Sequence, residues 1–192
     1  MPKTLRLSQD ANADALLTRD PLALLVGMVL DQQIPLEKAF SSPYVLTQRL
    51  GHDLDAREIA DLDPERLAEL FATPPALHRF PGSMAGRVQE LCRTLVEDHD
   101  GDAAKVWTGV KTGDELLRRV KALPGFGDQK AKIFVALLGK QLGVRPRGWR
   151  EAAGVYGEDG CRRSVADITG TDSLREVREY KKQMKAAAKA AG

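Results

Sequence analysis

Apolar residues recur at helical spacing along most of this chain, most clearly between Gly113 and Gly143. Leu116, Leu117, Val120 and Leu123 mark one face of a first helix. Ala131, Phe134, Val135, Leu138 and Leu142, widened by Ile133 and Leu137, mark a second. Between them lies Leu123-Pro124-Gly125-Phe126-Gly127. The proline stops the first helix, and the glycines permit positive φ and close backbone approach. The pattern predicts two helices joined by a tight turn, a helix-hairpin-helix over residues 113–143. The second helix opens at Gly127 with amides that lack intrahelical partners and attract an anion. Lys130 and Lys132 follow within two turns. In a basic protein such an anion is most often a nucleic-acid phosphate, although an ordinary helix corner shares the same local pattern.

The rest of the chain also reads as helices, with no strand pattern and no internal repeat, so the fold class is all-α. A short helix is expected near Asp10 to Leu17. Asp20-Pro21 is an N-cap followed by proline at the first helical position, and Leu22 to Leu30 is apolar nearly all round, which predicts a buried helix. It runs into Asp31-Gln32-Gln33-Ile34-Pro35, where two adjacent amides at a helix end can reach outward. Leu36 to Leu50 is amphipathic, with a break expected at Ser41-Ser42-Pro43. Asp55 to Ala60, Pro64 to Phe71 and Met84 to His99, the last capped by Ser83, are further helices. Ala103 to Thr112 is ambiguous, with Trp107 as its core anchor. After the hairpin come a basic loop from Val144 to Arg150, a helix over Trp149 to Gly157 and a last helix from Asp172 that frays near its Lys-rich end. The 192 residues fit a single domain, 1–192, with 144–192 as basic loop and C-terminal helix.

Charge changes this picture more than composition does. The net charge is only +2, but residues 1–100 carry ten Lys/Arg against sixteen Asp/Glu, and residues 101–192 carry nineteen against eleven. From Gly113 to Arg150 there are nine basic and three acidic residues. A basic half containing the hairpin is the footprint expected for a polyanion. Two cysteines, Cys92 and Cys161, form no CxxC and leave no Cys-rich metal site to build. With no signal-peptide pattern and no membrane-length apolar run, the expectation is a cytoplasmic protein.

Three segments together resemble the HhH-GPD superfamily of base-excision DNA repair proteins, the all-helical group that includes endonuclease III. They are Asp20 to Gln33, Pro81 to Gly101 and Leu123 to Ala131, the last similar to the family's LPGxGxxxA hairpin. The resemblance implies two helical lobes with a cleft between them, double-stranded DNA as partner, and a monomer. It puts Gln33 at the glutamine that enters the duplex where a nucleotide has been extruded. It gives the backbone around Gly125, Phe126, Gly127 and Gln129 to a DNA phosphate, beside Lys130 and Lys132, whose place on the second helix makes them candidate DNA contacts. The carbonyls of Lys121, Leu123 and Phe126 would bind a monovalent cation. The four cysteines of an iron–sulfur cluster are absent, so no cluster is expected.

The family's catalytic positions depart from the pattern. Lyase members carry a lysine nucleophile two residues after the second hairpin glycine, and this chain has Gln129 there. Its neighbour Lys130 is rotated about 100° around the helix and reads as a phosphate contact. That favours a monofunctional DNA glycosylase in which water attacks. The family aspartate falls about eighteen residues further on, at Arg147, with no acid adjacent. If Trp149 to Arg163 is an insertion, Asp167 becomes the candidate catalytic acid, stabilising an oxocarbenium-like sugar. The alternative is a non-catalytic helix-hairpin-helix protein that binds DNA or senses damage.

Overall fold

The computed structural model describes residues 3–192 as ten α-helices and three short 3-10 segments, with no strand among the described residues. Asp10 caps Ala11–Arg19 (α1) by accepting from the Ala13 amide. Asp20 caps Pro21–Leu30 (α2), whose residues after Pro21 are all buried, as their all-round apolarity requires. Leu36–Leu50 (α3) is one continuous helix, and the break expected at Pro43 does not occur. A proline inside a helix costs roughly 3 kcal/mol. Burial of Phe40, Pro43 and Leu46, with α3 packed on α1 and α2, outweighs it.

Ala56–Asp61 (α4) and Pro64–Ala72 (α5) pack across Pro81–His99 (α6). Helix α6 begins at Pro81, so Ser83 lies inside the first turn instead of capping it; proline at the first position needs no N–H partner. Ala103–Val106 is a 3-10 turn, and Trp107 after it sets its ring edge-on to Phe134, with centroids 5.6 Å apart.

Gly113–Lys121 (α7) and Asp128–Gln141 (α8) form the expected hairpin, with Thr112 capping α7 by accepting from the Glu115 amide. Trp149–Ala153 (α9) is shorter than expected and tightens into a 3-10 turn over Gly154–Gly157. A Cβ at Gly139 would stand 2.3 Å from the Trp149 ring, so only glycine lets α9 lie against α8. A last 3-10 turn, Val165–Asp167, precedes Thr171–Ala191 (α10). Helix α10 stays helical to Ala191 where fraying is expected, because alanine and lysine are both good helix formers. One continuous apolar core runs from Leu5 to Val177. Among the described residues, no helix is long and apolar enough to cross a membrane.

Candidate nucleic-acid interface

Gly125 holds φ at +85°, and a Cβ there would touch Val29 at 3.5 Å, so the hairpin turn rests on the last turn of α2. Around a Cβ at Gly127 there would be nothing within 4 Å, which leaves the start of α8 open on that side. Phe126 differs from its neighbours. Its ring is buried against Phe134, centroids 5.8 Å apart, so only its backbone is available to a phosphate. Asp128 in the first turn pairs with Lys132 at 3.0 Å and with Lys121 at 3.1 Å. Hydrogen bonds from those two lysines hold its carboxyl below the usual range. Lys132 therefore stands beside the open helix end and must exchange Asp128 for any phosphate. Gln129 is exposed and donates to the Tyr156 hydroxyl at 2.9 Å.

Lys130 corrects the sequence reading. Its ammonium turns inward and donates to the Met28 carbonyl at 2.6 Å, placing a cation on the carbonyl end of α2, where the helix dipole favours one. Burial lowers its pKa, which the nearby Asp31 partly offsets. The 100° rotation that separates Lys130 from Gln129 carries it towards α2 and not out to solvent.

The α2 helix ends in a loop that presents Gln33. This residue is exposed, its φ of +59° is uncommon for a residue other than glycine, and among the described residues its side-chain amide makes no hydrogen bond. The loop is fixed from behind by His78, which is 1% exposed. The His78 Nδ1 accepts from the Phe80 amide at 3.0 Å and its Nε2 faces the Gln32 carbonyl at 2.8 Å. A neutral imidazole protonated on Nε2 satisfies both contacts. His78 thus ties the Gln33 loop to a second loop, on which Phe80 is 41% exposed beneath the Arg79 guanidinium, 5.3 Å from the ring centroid.

A cleft of about 410 Å³ opens between the end of α2, the start of α8 and the middle of α10. Met28, Ile133, Tyr156, Tyr180 and Met184 give it apolar and aromatic walls. Asp31, Gln129, Lys130, Arg163 and Lys181 supply its polar groups. Such a mixture of apolar walls and a few polar groups is usual for a small-molecule pocket. Burial raises the Asp31 pKa, and Lys181 and Lys130 pull it partly back; no hydrogen bond contributes. Arg163, by contrast, is already paired with Glu158 at 2.9 Å.

Asp167 does not line this cleft. Its Oδ1 accepts from Lys140 at 2.6 Å, and its Oδ2 accepts from the Arg163 amide at 2.8 Å, the Ser164 amide at 3.3 Å and the Cys161 thiol at 3.3 Å. With Ser164 it closes a capping box around the last 3-10 turn. A carboxylate held in its own loop and off the cleft is not placed to meet a sugar there, which corrects the expectation from sequence. Arg147, at the family's aspartate spacing, is exposed and bridges its backbone to Thr112, also away from the cleft.

The sequence reading missed Asp31, His78, Phe80 and Tyr156. Asp31 carried a signal, an acid between an apolar helix and Gln32-Gln33. His78 and Phe80 carried none, because only tertiary contact separates a buried imidazole and an exposed ring from ordinary core residues.

Neither the curated proteins nor the solved structures contain a match to this chain. A family model, HhH-GPD superfamily base excision DNA repair protein, matches residues 26–189. The match takes in the end of α2, both loops tied by His78, the hairpin and the cleft, and the chain belongs to the HhH-GPD superfamily of base-excision DNA repair proteins.

Proposed function

We propose that this protein is a monofunctional DNA glycosylase that hydrolyses the N-glycosidic bond of a damaged or mispaired base in double-stranded DNA, acting as a cytoplasmic monomer from a short branch without an iron–sulfur cluster. The observation that carries this reading is the cleft that opens between the end of α2, at Asp31 two residues ahead of Gln33, and the start of α8 in the hairpin. A stacked base is unreachable, so the nucleotide must leave the duplex to be processed. The cleft has the size and aromatic lining to take it. Gln33 fills the vacated space, and Phe80, held on the facing loop through His78, presses between the bases nearby. The backbone of Gly125, Phe126, Gly127 and Gln129 anchors a phosphate, and Lys132 adds charge after releasing Asp128.

The family likeness would give the carbonyls of Lys121, Leu123 and Phe126 to a monovalent cation. Leu123 already accepts from the Phe126 amide at 3.2 Å, which holds the turn closed while one of its lone pairs remains. A bound cation would supply positive charge beside the phosphate. Lyase chemistry is disfavoured because Gln129, engaged with Tyr156, replaces the lysine nucleophile.

The test is incubation with duplexes carrying deaminated, oxidised, alkylated or mispaired bases. The reading expects release of at least one base class, leaving an intact strand with an alkali-labile abasic site. It also expects Gln33→Ala to weaken binding to a duplex with an abasic-site analogue about tenfold, a loss comparable to one good contact of about 1.4 kcal/mol.

A further inference from the structure

Two aspartates lie near the end of α2 and the last 3-10 turn, and their surroundings differ sharply. Asp167 is fully committed to its loop and to Lys140. Asp31 lines the cleft and, among the described residues, makes no ion pair within 4 Å and has no hydrogen bond contributing to its charge state. Folding normally pairs a carboxylate that is withdrawn from water. Asp31 is instead half-buried and left unpaired at a ligand-sized opening, two residues ahead of Gln33. Its position is fixed without using its carboxylate, because the Asp31 amide donates to the Gly27 and Met28 carbonyls and Lys130 donates to the Met28 carbonyl.

We propose that Asp31 is the carboxylate that faces the sugar of the extruded nucleotide and stabilises positive charge at C1′, with Lys130 as the residue that positions it. This assignment rests on the glycosylase reading and moves the acid from the segment after the hairpin to the end of the buried second helix. As the C1′–N bond breaks, its electron pair leaves with the base and C1′ becomes electron-poor. The oxygen of a water then bonds to C1′, and its proton passes to Asp31. Solvent protonates the departing base nitrogen, and Asp31 returns its proton to solvent. The sum is base and abasic sugar from nucleotide and water.

The test uses the full chain and two abasic-site analogues of the same shape, a neutral tetrahydrofuran and a cationic pyrrolidine that mimics the charged sugar. Wild type should bind the pyrrolidine duplex about tenfold or more tightly than the tetrahydrofuran duplex, as charge mimics of a transition state do. Asp31→Asn should erase that ratio while still binding the neutral duplex, and Asp167→Asn, where it folds, should keep it. Lys130→Met should reduce the ratio, and Lys130→Arg should restore part of it. No preference in wild type, or an undiminished preference in Asp31→Asn, overturns the proposal. If the ratio behaves as stated while no lesion is hydrolysed, the glycosylase reading fails and Asp31 still stands as the anion of the site.

Discussion

Asp31 and Asp167 predict opposite responses to the same substitution. Burial sets the Asp31 pKa above its ordinary value of 3.8. The folded state therefore holds the charge less readily than the unfolded chain at any pH above the raised value. Lys130 on α8 and Lys181 on α10 face it and reduce this penalty, while Arg163 on the same cleft wall is occupied by Glu158. Asp31→Asn should accordingly raise the melting temperature at pH 7. The gain should shrink as the pH falls through the raised pKa and vanish below 3.8, where both states are protonated. Groups retained at a stability cost are typical of functional sites. Asp167→Asn should do the reverse, removing the charge from a pair whose side chains are 3% and 12% exposed. A loss of about 2–3 kcal/mol is expected, at the lower end for broken buried pairs because Lys140 keeps an edge at solvent. Thermal melts of both variants at pH 7 check the sign of each effect.

Among the elements, α2 and α8 were the most legible in sequence, because each carries its own signal. Asp20-Pro21 and the unbroken apolar run specify a buried helix, and Pro124 with Gly125 and Gly127 specifies the hairpin turn. What periodicity could not supply was the contact between them. Lys130 reads as a surface cation until α2 is seen to end beside it, since its destination is a backbone carbonyl 102 residues away in sequence. The continuity of α3 through Pro43 was hidden for a similar reason, because tertiary burial decides it against local preference. The α8–α9 corner makes a prediction of its own. At Gly139 a methyl group would meet three Trp149 ring atoms at 2.3–2.7 Å. Gly139→Ala should destabilise the protein by about 1–3 kcal/mol through overpacking. Chemical denaturation should show it as a lower midpoint with an unchanged slope.

The whole molecule divides its charge between an acidic first hundred residues and a basic remainder, as the sequence already showed. The structure adds that the basic part surrounds the hairpin and the cleft, with Lys132 at the open helix end and Lys181 on the cleft wall. Duplex binding should fall steeply with salt. Replacing Lys132 with alanine should reduce the slope of log K against log salt by about 0.9, one phosphate contact, without changing lesion preference. Family membership was legible from three separated motifs, and the proposed acid was not, because Asp31 lies on an element that the family's spacing does not point to. The measurement that bears most directly on the account is single-turnover base release from a panel of lesion-bearing duplexes, with wild type and Asp31→Asn compared side by side. The account predicts free base and an uncleaved strand with wild type, and loss of that release in Asp31→Asn with duplex binding intact. Tight lesion binding by wild type with no base released from any duplex would contradict it.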